Sequence, residues 1–153
     1  MDNLTIRKKL ENEDMPWDLL LIADPSKEAV QKYLYNAAIY LAFISDEVVG
    51  VSVITKETDI IELKNIAVLE KYRGKGFGKR LVLHAIKQAK KQKATRLEVG
   101  TGNSSNMQLS LYQKCGFVIS GIEKGFFLKN YKEPIFENGI QCVDMIRLSI
   151  DLR

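Results

Sequence analysis

Histidine, cysteine and long apolar runs are what this chain has least of, and each scarcity removes a class of function. Its one histidine, His84, and its two cysteines, Cys115 and Cys142, are spread over 153 residues. That argues against a zinc site and against a disulfide framework, and it makes a reducing cytoplasm the default compartment. No metal is expected. No apolar run approaches the roughly 18 residues that a membrane-spanning helix needs. Met1-Asp2-Asn3 opens without the basic and apolar segments of a secretory leader. Net charge is +4, a mild excess, and aromatics do not interleave with the lysines as nucleic-acid binders require. Neither a membrane nor a nucleic acid is expected as partner. No repeat, low-complexity tract or linker interrupts the sequence, so residues 1–153 are read as one domain with a single core.

What the chain does have is one strongly patterned stretch, from Ile60 to about Lys93. Ile61, Leu63, Ile66, Ala67 and Val68 read as a largely buried strand. Phe77, Leu81, Val82, Ala85, Ile86 and Ala89 then recur at three- and four-residue spacing, the apolar face of a long helix. Between them lies Arg73-Gly74-Lys75-Gly76-Phe77-Gly78. Three alternate glycines are expected to reach positive φ and turn their N–H groups inward, ahead of a helix that adds its positive end. Such a turn suits an anion, most naturally a phosphate or diphosphate. It is not a triphosphate P-loop, because Gly78-Lys79 is followed by Arg80 and Arg73 stands where the first glycine belongs. Nor is it a dinucleotide turn, since the spacing is G-x-G-x-G and the region about twenty residues downstream is basic.

Around that stretch the other elements fall in order. Leu4 and Ile6 alternate in a first strand. Helices start near Pro16-Trp17 and at Ser26, an N-cap. Ala38–Ile44 and Val48–Thr55 form a hairpin, and the organising strand follows. After the long helix come a strand at Thr95–Thr101, a short helix ending at Gly116, and strands at Phe117–Ile122 and Cys142–Ile150. Gly125 to Gly139 is read as irregular and aromatic. His84, among apolar residues and lysines, is read as a packed helix residue.

The R-x-x-G-x-G pattern of Arg73, Gly76 and Gly78, following a strand and opening a helix, resembles the acyl-CoA loop of the GCN5-related N-acetyltransferase (GNAT) superfamily. The order β-α-α-β-β-β-α-β-α-β-β resembles that family along nearly the whole chain. The resemblance implies an α/β fold, a mixed, mostly antiparallel sheet flanked by helices, whose fourth and fifth strands splay around pantetheine. It implies acetyl-CoA as cosubstrate and an amine as acceptor. By similarity, the backbone of Ile66, Ala67 and Val68 pairs with the pantetheine arm. Arg73, Gly74, Lys75, Gly76, Phe77, Gly78 and Lys79 wrap the diphosphate, with Arg80 adding charge.

Leu111-Tyr112-Gln113-Lys114-Cys115-Gly116-Phe117 resembles the family's L-Y-x-x-x-G-F motif, which makes Tyr112 the proton donor to the departing thiolate; packing against a strand is the alternative. Glu98 and Glu62 are the candidate proton acceptors. The family's cofactor-binding asparagine lies seven residues before the tyrosine. Asn106 lies six before and Asn103 nine, so either serves or simply caps the helix. Glu70 stands where many members have proline. The acceptor site is expected from the first two helices and the 125–139 segment, with Trp17, Tyr33, Phe126, Phe127, Tyr131 and Phe136 as walls and Glu133, Glu137 and Asp144 favouring a cationic amine. The aromatic segment is equally compatible with core or a homodimer interface. The alternative function is a catalytically inactive CoA-binding sensor.

Overall fold

The computed structural model describes residues 3–153. The chain begins with β1 (Leu4–Lys8), then α1 (Trp17–Ala23) and α2 (Lys27–Leu34), whose Ser26 N-cap accepts a hydrogen bond from the Ala29 amide at 3.1 Å. The hairpin of β2 (Ala37–Ile44) and β3 (Glu47–Glu57) leads into β4 (Ile60–Val68), and a 3-10 turn at Glu70–Tyr72 carries the chain to α3 (Phe77–Lys91). Next come β5 (Arg96–Gly102), α4 (Asn106–Lys114), β6 (Val118–Glu123) and α5 (Phe126–Asn130). A small hairpin of β7 (Phe136–Glu137) and β8 (Ile140–Gln141) precedes β9 (Met145–Asp151). Seven strands form the main sheet in the order β1-β2-β3-β4-β5-β9-β6, and only the β4–β5 pair is parallel.

Helices cover both faces of the sheet, as expected. One face packs Leu19, Leu20 and Val30 of α1 and α2 against Leu41, Val51, Val53 and Ala67. The other packs Val82, Ala85, Ile86 and Ala89 of α3, with Tyr112 and Phe117, against Ile61, Leu63, Leu97, Val99 and Leu148. Two departures from the sequence reading stand out. Residues 125–139 are only partly irregular: α5 and β7 lie there, elements too short for periodicity to register. The last strand begins at Met145 rather than Cys142, because residues 141–144 are taken up in clasping the 102–105 loop.

One irregularity sets up the site. Val53 pairs with Asn65 but Ile54 pairs with Leu63, so Lys64 is the extra residue of a β-bulge. Side chains normally alternate between the faces of a strand. The bulge breaks that alternation, placing Lys64 and Asn65 together on the α1–α2 face and handing Ile66 to the α3 face.

Candidate active site

β4 and β5 pair over four positions, from Ile60↔Arg96 to Leu63↔Val99, and then separate. From Lys64 to Val68 the β5 side of β4 has no strand partner, so backbone donors and acceptors line an open edge. That places Ile66, Ala67 and Val68 along the gap, and the gap points at the glycine loop. Gly74 and Gly76 have φ of +79° and +82°. Gly78 differs from the expectation of three positive-φ glycines, because it already belongs to α3. A Cβ there would come 3.6 Å from Leu111 Cδ2, ordinary contact, and would meet nothing within 4 Å at Gly74 or Gly76.

Gly76 is the N-cap of α3; no side chain caps the helix and no acidic residue occupies its first turn. The first-turn amides and the positive end of a 15-residue helix therefore face outward together. Phe77, 3% exposed, anchors the turn in a cluster with Leu4, Ala42, Val49 and Leu81. Arg73 donates through Nε to the Val68 carbonyl at 3.3 Å, and Arg80 through Nη2 to the Leu4 carbonyl at 3.2 Å. Lys75 and Lys79 are exposed on the outside.

Tyr112 is buried on the α3 face, packed against Phe117 with ring centroids 5.8 Å apart. Burial, and then the neighbouring Cys115 and Glu137, push its pKa up, further into the range where the phenol is protonated. Of the two asparagines, Asn103 is committed to structure. Its Oδ1 accepts from the Val143 and Asp144 amides at 2.7 and 3.0 Å, and its Nδ2 donates to the Gln141 carbonyl at 3.2 Å. Asn106 opens α4 and is exposed.

Glu62 and Glu98 stand directly opposite each other in the β4–β5 register, one step before the strands part. Because Ile61, Leu63, Leu97 and Val99 face α3, the two carboxylates face α1 and α2, across the sheet from Tyr112. Both bind one guanidinium that the sequence reading missed. Arg147 donates through Nη1 to Glu62 at 3.0 Å and through Nη2 to Glu98 at 3.2 Å, with Glu123 at 3.8 Å. Burial works against the Arg147 charge, but the carboxylates outweigh it and hold its pKa above the ordinary value.

Gly100 makes the crossing available. A Cβ there would lie 2.8 Å from Arg147 Nη1 and 2.5 Å from Met145 Sδ. A charged residue alternating in a strand is a faint signal, and only the register shows that Arg147 reaches β4.

The expected acceptor residues scatter. Trp17 takes the Lys27 ammonium on its ring at 4.6 Å. Glu137 accepts from Ser105 Oγ at 2.8 Å and Asp144 from the Gly125 amide at 2.8 Å, both structural roles. Phe136 is exposed on the small hairpin. Glu133 lines a cavity of about 280 Å³ between the start of α2 and the segment after α5. Phe126, Phe127 and Tyr131 do cluster, with Phe127 and Tyr131 stacked at 5.7 Å. Tyr131 donates to Asp24 Oδ1 at 3.0 Å, and Tyr33 accepts from Asn65 Nδ2 at 3.1 Å. Asp24 and Asn65 were not foreseen, since no motif or spacing in the sequence marks either. Among the described residues no group of three or more His, Cys, Asp or Glu is arranged to hold a metal, and no helix is long and apolar enough to cross a membrane.

Residues 8–117 match the model of the acetyltransferase (GNAT) family. An uncharacterised N-acetyltransferase of Bacillus subtilis (strain 168), YvbK, is 54% identical over 153 residues, 99% of each chain. A GNAT family acetyltransferase from Elizabethkingia anophelis, solved with acetyl-CoA bound, superposes with a TM-score of 0.97 at 47% identity, covering 99% of this chain and all of that one. A Bacillus subtilis acetyltransferase solved with CoA gives 0.92 at 54%, covering 99% of this chain and 100% of its own. The chain thus shares its fold with proteins crystallised with the coenzyme, and it belongs to the GNAT family of acetyltransferases, enzymes whose cosubstrate is acetyl-CoA.

Proposed function

We propose that this protein moves the acetyl group of acetyl-CoA to a primary amine by direct attack in a ternary complex, residues 1–153 acting as one catalytic domain. The observation that carries this reading is the continuity of β4's unpartnered edge with the positive-φ turn and the bare start of α3. Along Ile66, Ala67 and Val68 the alternate N–H and C=O groups that face the open edge offer strand-like hydrogen bonds to the pantetheine arm. The amides from Gly74 to Lys79 take the diphosphate, with Arg73, Lys75 and Lys79 lending charge at the rim. Asn106, whose side chain is not consumed by the fold as that of Asn103 is, serves the coenzyme at the start of α4.

Acetyl-CoA supplies the activated thioester; the protein's contribution is positioning and proton management. Tyr112, a phenol protonated at neutral pH and more so for its burial, donates to the departing thiolate from the α3 side. The proton that the amine must lose passes to the Glu62–Glu98 pair on the other face, which Arg147 keeps in place. Donor and acceptor on opposite faces, joined by a gap in the sheet, fit a reaction that sheds one proton and takes up another. An acyl-cysteine has little support. The Cys115 thiol is pushed up by burial, which outweighs the opposing pull of Lys79, and Cys142 is 1% exposed beside Ser104. The N-acetyltransferase relative supports nitrogen as the acceptor atom.

Mixing the protein with acetyl-CoA and a panel of primary amines should release free CoA thiol. Tyr112→Phe should lower turnover roughly a hundredfold while leaving CoA affinity nearly intact. Unchanged turnover would remove Tyr112 from the mechanism.

A further inference from the structure

On the α1–α2 face most charges cancel. Lys64 meets Glu62 at 3.3 Å, Arg96 meets Glu98 at 2.9 Å, and Arg147 lies among Glu62, Glu98 and Glu123. Asp24 stands apart from that ladder. It is half-buried where α1 passes to α2, and among the described residues no lysine or arginine pairs with it. Its Oδ1 accepts from the Tyr131 hydroxyl at 3.0 Å and from the Ser26 amide at 3.3 Å. Burial raises its pKa, with those two hydrogen bonds pulling the other way. Half-burial without a cation is costly for a carboxylate, and an incoming cation would relieve it.

The surroundings suit such a cation. Tyr33, on α2, gives its ring face to the Lys64 ammonium at 5.8 Å, so that aromatic surface already meets one positive charge. Phe127 stacks on Tyr131 and Phe126 adds a ring beside it. Asn65, 3% exposed, donates to Tyr33 and to the Leu20 carbonyl at 3.0 Å, yet its own Oδ1 has no hydrogen-bond partner. That oxygen is closed to solvent, so Asn65 serves the place by fixing the Tyr33 hydroxyl rather than by meeting a ligand itself. The bulge at Lys64 presents Asn65 on this face just past the point where β4 and β5 part.

We propose that Asp24, with Tyr33 and Tyr131 and with Asn65 fixing the Tyr33 hydroxyl, receives the ammonium of a cationic primary alkylamine, and that this class is the protein's acceptor. The ammonium yields a proton to the Glu62–Glu98 pair before its nitrogen attacks the thioester. The inference rests on the amine-acetylation reading above. It assigns a substrate-binding role to the Asp24–Tyr131 hydrogen bond, which otherwise only ties the α1–α2 junction to α5.

Asp24→Asn tests this, since the amide keeps the shape and an oxygen for Tyr131 while losing the charge. The readout is kcat/KM for protonated alkylamines and diaminoalkanes against kcat/KM for arylamines, which are neutral at pH 7, with CoA affinity measured by titration. The alkylamine value should fall about tenfold or more relative to the arylamine value, with CoA affinity unmoved. Asp24→Ser repeats the comparison should the amide disturb the turn. Equal losses for both amine classes, or no loss, would make Asp24 a structural clasp and overturn the inference alone. A wild-type protein that acetylates arylamines but no alkylamine would do the same. A wild-type protein that binds CoA and acetylates no amine would overturn the acetyl-transfer reading, and this inference with it.

Discussion

His84 shows how a single side chain can be read for stability rather than chemistry. Its ring meets Tyr40 edge-on at 4.8 Å, and its buried Nδ1 has no partner. Burial first, then Lys91 and Lys87, lowers its pKa below the ordinary value. A histidine depressed in the fold stabilises it fully above the unfolded pKa of about 6.5, and that contribution fades as pH falls through the lower folded value. Wild-type stability should therefore drop from about pH 7 to about pH 5 more steeply than that of His84→Gln. Urea unfolding at several pH values checks this, and parallel curves would contradict it. Asn103 teaches the opposite lesson about single residues. Its place nine residues before Tyr112 left it open as a cofactor ligand or a helix cap, and three side-chain hydrogen bonds to residues 141–144 make it a clasp.

At the scale of elements, β4 carries most of the design. Its first half pairs with β5, its bulge turns Lys64 and Asn65 to one face, and its second half leaves an edge open. The Glu62–Arg147–Glu98 bridge spans β4, β5 and β9 one step before the last paired position. Arg147→Met would leave two facing carboxylates with no shared cation. It should cost about 1–3 kcal/mol of unfolding free energy, between the values for exposed and buried pairs. No measurable loss would show the bridge to be ornamental.

Much of this level was legible beforehand. The strand, turn and helix from Ile60 to Lys93 were fixed by alternation, glycine spacing and a three- and four-residue period, and the structure places β4 and α3 there. What stayed hidden was long-range or short. The Arg147 bridge depends on register, and α5 has five residues, too few to repeat a helical period. Gly78 matched the pattern of a positive-φ glycine but sits in α3, because spacing reports residue type and not dihedral angle.

The whole molecule is a sheet opened along one seam. Tyr112 lies behind it on the α3 face; Glu62, Glu98, Asp24 and Tyr33 lie before it on the α1–α2 face; the glycine turn closes one end. Placing every proposed role around that seam requires the amides between Gly74 and Lys79 to grip a diphosphate. Isothermal titration of CoA and of pantetheine, which lacks the diphosphate, tests that requirement most directly. CoA should bind and protect the fold against heat, with pantetheine roughly a hundredfold weaker; equal affinities, or no CoA binding at all, would contradict the account.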